Sequence, residues 1–143
     1  MEIENRTITY VCIPTFLLIG GRGSKDFFVD AMRLVHRPSR RIMIFVSKKE
    51  IRNQWFRYTL LHEHMEAMFE LNIDNFVKDH TQKTKELVSM IKDRLPHIID
   101  NLKKSKQDES HMFALIFEID LAMREMNETK LEIFLADIIK NRL

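Results

Sequence analysis

Thr59-Leu60-Leu61-His62-Glu63-His64-Met65-Glu66-Ala67 lies inside a strongly helical stretch, and the apolar run Arg41-Ile42-Met43-Ile44-Phe45-Val46 shortly before it reads as a strand. The change from a β-branched run to a helical pattern divides the chain into a strand-rich front, 1–47, and a helical remainder, 48–143. On a helix, His62 and Glu66 are four residues apart, so their side chains project from one face one turn apart. Glu63 lies about 100° round the axis from His62. An imidazole, a carboxylate one turn on and a second carboxylate beside them suit a metal ion and the activation of its water.

Towards the N-terminus, Thr7-Ile8-Thr9-Tyr10-Val11-Cys12 is β-branched and aromatic and reads as a strand; a second apolar stretch, 15–19, follows Pro14. Pro14 cannot donate to a ladder and marks a bend, a bulge or an edge. Gly20-Gly21-Arg22-Gly23-Ser24 reads as a loop, with Ser24 capping a helix from Lys25 to about Val35 whose apolar face is Phe27, Phe28, Ala31, Leu34 and Val35. Arg37-Pro38-Ser39 ends it. The strand 41–46 is apolar enough to be buried on both faces.

Towards the C-terminus almost everything is helical. Residues 51–73 carry the motif, with Leu61, Met65, Met68 and Phe69 as an inward stripe. Residues 74–102 form one helix or two, and Pro96 marks the break. The polar run 103–109 is a loop, Asp108 or Ser110 caps a helix from His111 to Met126, and Asn127 separates a last amphipathic helix ending at Leu143. The fold class is α+β: a small N-terminal sheet packed by four or five helices, in a single domain spanning 1–143.

Composition narrows the function. Three glycines, three prolines, 45% hydrophobic and 31% charged residues fit a globular chain with a proper core. The single Cys12 cannot form an internal disulfide, which points to a reducing cytoplasm. No run approaches the roughly 18 apolar residues of a membrane helix, and the short run 10–19 follows acidic Glu2 and Glu4 rather than a basic leader. With 23 basic and 21 acidic residues the net charge is +2, so nucleic acid is not an expected partner despite the local cluster Arg37, Arg40, Arg41, Lys48, Lys49 and Arg52.

A catalytic zinc takes three protein ligands and leaves a position for water. His62 and Glu66 supply two. His64 points about 200° away from His62 and cannot share its ion. His111 opens a later helix, and Glu118 lies two turns along the same face within Phe113-Ala114-Leu115-Ile116-Phe117-Glu118-Ile119, where an unpartnered acid is costly. The third ligand is therefore sought at His111, with Glu118 as the alternative.

The order of a strand, a short basic connector and Arg57-Tyr58-Thr59-Leu60-Leu61-His62-Glu63 resembles the approach to the active helix of small zincin-like metallopeptidases, which often read Arg-Phe-Thr-Leu-x-His-Glu there. The resemblance covers residues 42–68, and 111–118 by extension. It implies that His62 binds zinc, that Glu63 is the general base, and that Glu66 stands where the second helix ligand is normally His. His111 would be the later histidine of a His-Glu-x-x-Glu variant. A carboxylate ligand makes such a site more tolerant of iron or manganese. The substrate would be a peptide or protein, added as an extra strand along an edge strand 42–46.

A reading of a different class is a non-catalytic helical interaction or regulatory module. Nine methionines and the stripe Leu131, Phe134, Leu135, Ile138 and Ile139 suit an adaptable partner surface or a homodimer through the C-terminal helices. Exposed His62 and Glu66, far from His111, would favour it. The glycine loop lacks phosphate-loop spacing, no second helix repeats a Glu-x-x-His pattern, and Cys12 has no activating neighbour, so nucleotide binding, a two-metal bundle and a cysteine nucleophile are set aside.

Overall fold

In the computed structural model of this chain the described residues are 7–13, 19–22, 25–28, 31–36, 38, 41–47, 52–72 and 75–143. Five helices dominate: α1 (Phe56–Leu71), α2 (Phe76–Arg94), α3 (Pro96–Ser105), α4 (Glu109–Glu125) and α5 (Glu128–Arg142). Their ends follow local chemistry. Asn72 stops α1 in the left-handed conformation, φ 45°, with its N–H donating to the Met68 carbonyl. Pro96 sits in the first turn of α3, where its missing N–H costs nothing. Asp108 accepts from the His111 N–H and Asn127 from the Lys130 N–H, capping α4 and α5.

The strands are β1 (Thr7–Ile13), β2 (Ile19–Arg22), β3 (Lys25–Phe28), β4 (Ala31–His36) and β5 (Arg41–Ser47). They form a three-stranded sheet in the order β1-β5-β4 and an antiparallel β2–β3 pair. β5 runs parallel to β1, with Thr7 opposite Arg41, and antiparallel to β4, with His36 opposite Arg41.

Four expectations change here. The loop expected over 20–24 is strand β2 as far as Arg22. The helix expected over 25–35 is two strands: the apolar spacing suits either structure, and ladder pairing of 31–36 with 41–46 decides for strand. The strand 42–46 is central in its sheet, not an edge. It also alternates rather than burying both faces, with Ile42, Ile44 and Val46 inside and Arg41 and Met43 exposed. The expected apolar stretch 15–19 lies outside the described residues except for Ile19.

α1 is covered on two sides, packing on β4 and β5 and, most extensively, on α4. Ala67 meets Ile42, Ile44 and Val46. Tyr58 joins the main core with Ile91, Ile98, Leu115, Ile119 and Phe134, which ties α1 to the other four helices. Met68, Phe76 and Phe113 close the lower end. Of the expected stripe of Leu61, Met65, Met68 and Phe69, Met68 is buried, and Met65 and Phe69 pack half-buried beside it. Because α1 is covered on both sides, its buried set also takes in Tyr58, His62, Glu66 and Ala67. A histidine and a glutamate are thus taken into the interior.

Candidate metal centre

His62 is 3% exposed and Glu66 4%, on the face of α1 that meets α4. His111 comes from the first turn of α4, brought in by the Asp108 cap. His62 Nε2 lies 3.0 Å from His111 Nδ1, His111 Nδ1 lies 3.1 Å from Glu66 Oε1, and Glu66 Oε1 lies 3.5 Å from His62 Nε2. The same three atoms make every contact, so they form a closed triangle.

That triangle has the size a metal requires. Ligand bonds of about 2.0–2.1 Å at tetrahedral angles separate neighbouring ligand atoms by about 3.3 Å. Two imidazole nitrogens and one carboxylate oxygen, with a fourth corner left over, are also the donor set of a catalytic zinc site. Of the acid and histidine side chains described, these three are the group whose ligand atoms all lie within 4.8 Å of one another. The residues present therefore fit a divalent ion such as zinc.

Glu118 is elsewhere. Its Oε2 lies 2.8 Å from His62 Nδ1, on the opposite side of the ring from the triangle. It therefore cannot share an ion with Nε2, and the third position in the triangle is filled by His111. Fully buried, Glu118 takes two hydrogen bonds from the Arg142 guanidinium: Nη1 donates to Oε1 and Nη2 to Oε2, the latter at 2.8 Å. Arg142 Nη2 is also 2.9 Å from His62 Nδ1. An ionised carboxylate only accepts, and Arg142 Nη2 supplies a hydrogen to Oε2. With its proton on Nδ1, His62 would donate to Oε2 as well and direct Nε2 at the triangle.

The charges are consistent with this. Burial is the largest influence on Glu118 and pushes its pKa up, but the Arg142 charge and the hydrogen bonds from His62 and Arg142 outweigh it, and the pKa falls below the ordinary range. Burial likewise pushes His62 down. The bonds to Glu118 and Glu66 and the Glu118 charge overcome this, leaving the imidazolium favoured above the ordinary value. His111 differs from His62: its Nε2 is buried without a hydrogen-bond partner among the described residues.

Glu63 is half-buried and lies close enough to Arg142 for its charge to help hold that guanidinium protonated. Arg57 pairs with Glu125 at 2.6 Å. Phe69, one turn beyond Glu66, and Met112 and Phe113, beside His111, line an apolar hollow of about 380 Å³.

Arg142 is the site residue that sequence reasoning missed, although a signal was present. Leu131, Leu135 and Ile138 are buried, and Arg142 continues their spacing by one more turn, a cation on an inward stripe. A buried acid on α4 and a cation on the buried face of α5 belonged together.

Comparison with known proteins finds no relative: no family model, no curated protein and no solved structure matches the chain.

Proposed function

We propose that this protein is a zinc-dependent, zincin-like metallopeptidase whose ion is held by His62 Nε2, Glu66 Oε1 and His111 Nδ1. The triangle of 3.0, 3.1 and 3.5 Å carries this reading. Bound there, zinc would supply an acidified water and polarise a scissile carbonyl; iron or manganese would serve similarly at a site with a carboxylate ligand. Glu63, next to His62 in sequence, would take the proton from that water. The outer edge of β4, which packs on α1, would receive an extended peptide in place of the central β5. The hollow lined by Phe69, Met112 and Phe113 would accept an apolar side chain of that peptide. A lone cysteine suits work in the cytoplasm.

One observation favours a second reading. His62 and Glu66 are almost wholly buried, as the ligands of a closed structural site are, and an ion there would staple α1 to α4. Exposed His62 and Glu66, distant from His111, would have favoured the interaction-module reading without metal; both are instead buried and close to His111.

Elemental analysis of untagged protein, wild type and His62→Ala, tests the centre: about one metal per chain is expected, lost in the variant. Peptide hydrolysis abolished by Glu63→Gln with the metal retained supports the peptidase. Metal without hydrolysis supports the staple. No metal, even after zinc is added at neutral pH, overturns both and returns the chain to the class of interaction modules.

A further inference from the structure

We infer that Arg142 is a positioning residue of the metal centre, setting the affinity for the ion through Glu118 without touching a ligand atom of the triangle. The inference rests on the metal-site reading of His62, Glu66 and His111.

The argument is geometric. A histidine can bind metal through Nε2 only if its proton sits on Nδ1 and its ring faces the ion. Such rings are commonly fixed by a carboxylate on the other nitrogen, and loss of that partner weakens metal binding about 10–100-fold. Glu118 is that carboxylate here, at 2.8 Å. A carboxylate at the end of a glutamate turns easily about its last bond, so something must fix its plane. Nη1 on Oε1 and Nη2 on Oε2 form a two-point clamp that aims Oε2 at Nδ1. Arg142 reaches this point from the last turn of α5, whose Leu131, Phe134, Leu135 and Ile138 are buried in the main core. The lever therefore runs from the packed C-terminal helix through one carboxylate to the metal-facing nitrogen of another helix. A lysine would keep the charge and lose the fork.

The test measures zinc and cobalt(II) affinity of the full chain for wild type, Arg142→Lys, Arg142→Met, Glu118→Gln and the double variant Glu118→Gln/Arg142→Met, each well below its own unfolding midpoint. Arg142→Met is expected to weaken binding about 10–100-fold, and Arg142→Lys to weaken it less. In the Glu118→Gln background the same change should cost under about threefold, because an amide with one acceptor oxygen can no longer receive the two-point clamp. The ¹⁵N shifts of His62 in metal-free protein at alkaline pH supply a readout that packing alone does not move. Wild type should hold the proton on Nδ1, and Arg142→Met should show a mixture of tautomers. If Arg142→Met does not fold, the Lys variant carries both readouts. Wild-type affinity in both Arg142 variants, or an equal loss with and without Glu118, overturns the role of Arg142 and leaves the metal centre standing. A wild type that binds neither ion removes the centre itself, and this role with it.

Discussion

His62 Nε2 and His111 Nδ1 face each other at 3.0 Å, although 49 residues separate them in sequence. Two imidazole nitrogens sit that close only with a proton or a cation between them, because two bare lone pairs repel. An N–H of one ring donating to the other, or an ion in the proposed centre, would each satisfy that contact.

The first consequence is a dependence on pH. The metal-free fold holds His62 as imidazolium more tightly than the unfolded chain, whose ordinary value is 6.5. A raised pKa stabilises fully below the unfolded value and loses that contribution as pH climbs through the folded one. Thermal unfolding of metal-free protein should therefore show a midpoint that falls from pH 6.5 upward. His62→Gln should flatten that slope. Metal affinity should rise over the same range, since the ion displaces the proton.

Glu118 gives the opposite sign at the acid end. Its folded pKa lies below the ordinary 4.5, so its contribution is present above that value and fades as pH falls through the folded one. Acid unfolding monitored by circular dichroism should begin at higher pH in Glu118→Gln than in the wild type.

Removing one partner of the buried pair should cost more than neutralising it. Glu118→Ala strands the Arg142 guanidinium and His62 Nδ1 and is expected to cost about 3–5 kcal/mol in urea unfolding. Glu118→Gln keeps an acceptor and should cost less. Equal costs would mean that the acceptor retained by Gln contributes nothing and that the charge of Glu118 accounts for the whole effect.

Phe134 connects the helices that carry the site. Its ring lies 5.1 Å from that of Trp55 and 5.0 Å from that of Tyr58, joining α5 to the start of α1. Phe134→Ala should cost about 3–5 kcal/mol. It should also weaken zinc binding, since α5 carries Arg142. Tyr58→Phe removes only the 3.0 Å hydrogen bond to Glu125 and should cost about 0.5–1.5 kcal/mol with zinc affinity unchanged.

Much of the helical half was legible because its signals are local. Pro96, Asp108 and Asn127 mark helix starts through their own backbone or side-chain chemistry, and of the two caps offered for α4 it is Asp108 that acts, so that the helix begins at Glu109 and not at His111. The 25–35 stretch misled because its apolar spacing suits a helix and a strand alike, and the hydrogen-bonding partner that decides between them is the run 41–46.

His62 and Glu66 were readable as a pair because four residues on a helix fix a common face whatever the surroundings. His111 and Glu118 could be named from their chemistry, but their roles could not be assigned. Whether each meets Nε2 or Nδ1 of His62 depends on how α4 is rotated against α1, which only packing sets. Local spacing and capping chemistry were enough to place most of the helical half and to set His62 and Glu66 on one face. The tertiary structure alone decided that His111 completes the triangle while Glu118, clamped by Arg142, stands behind the ring, because contacts between distant segments are fixed by the burial of whole helix faces and not by the spacing within any one helix.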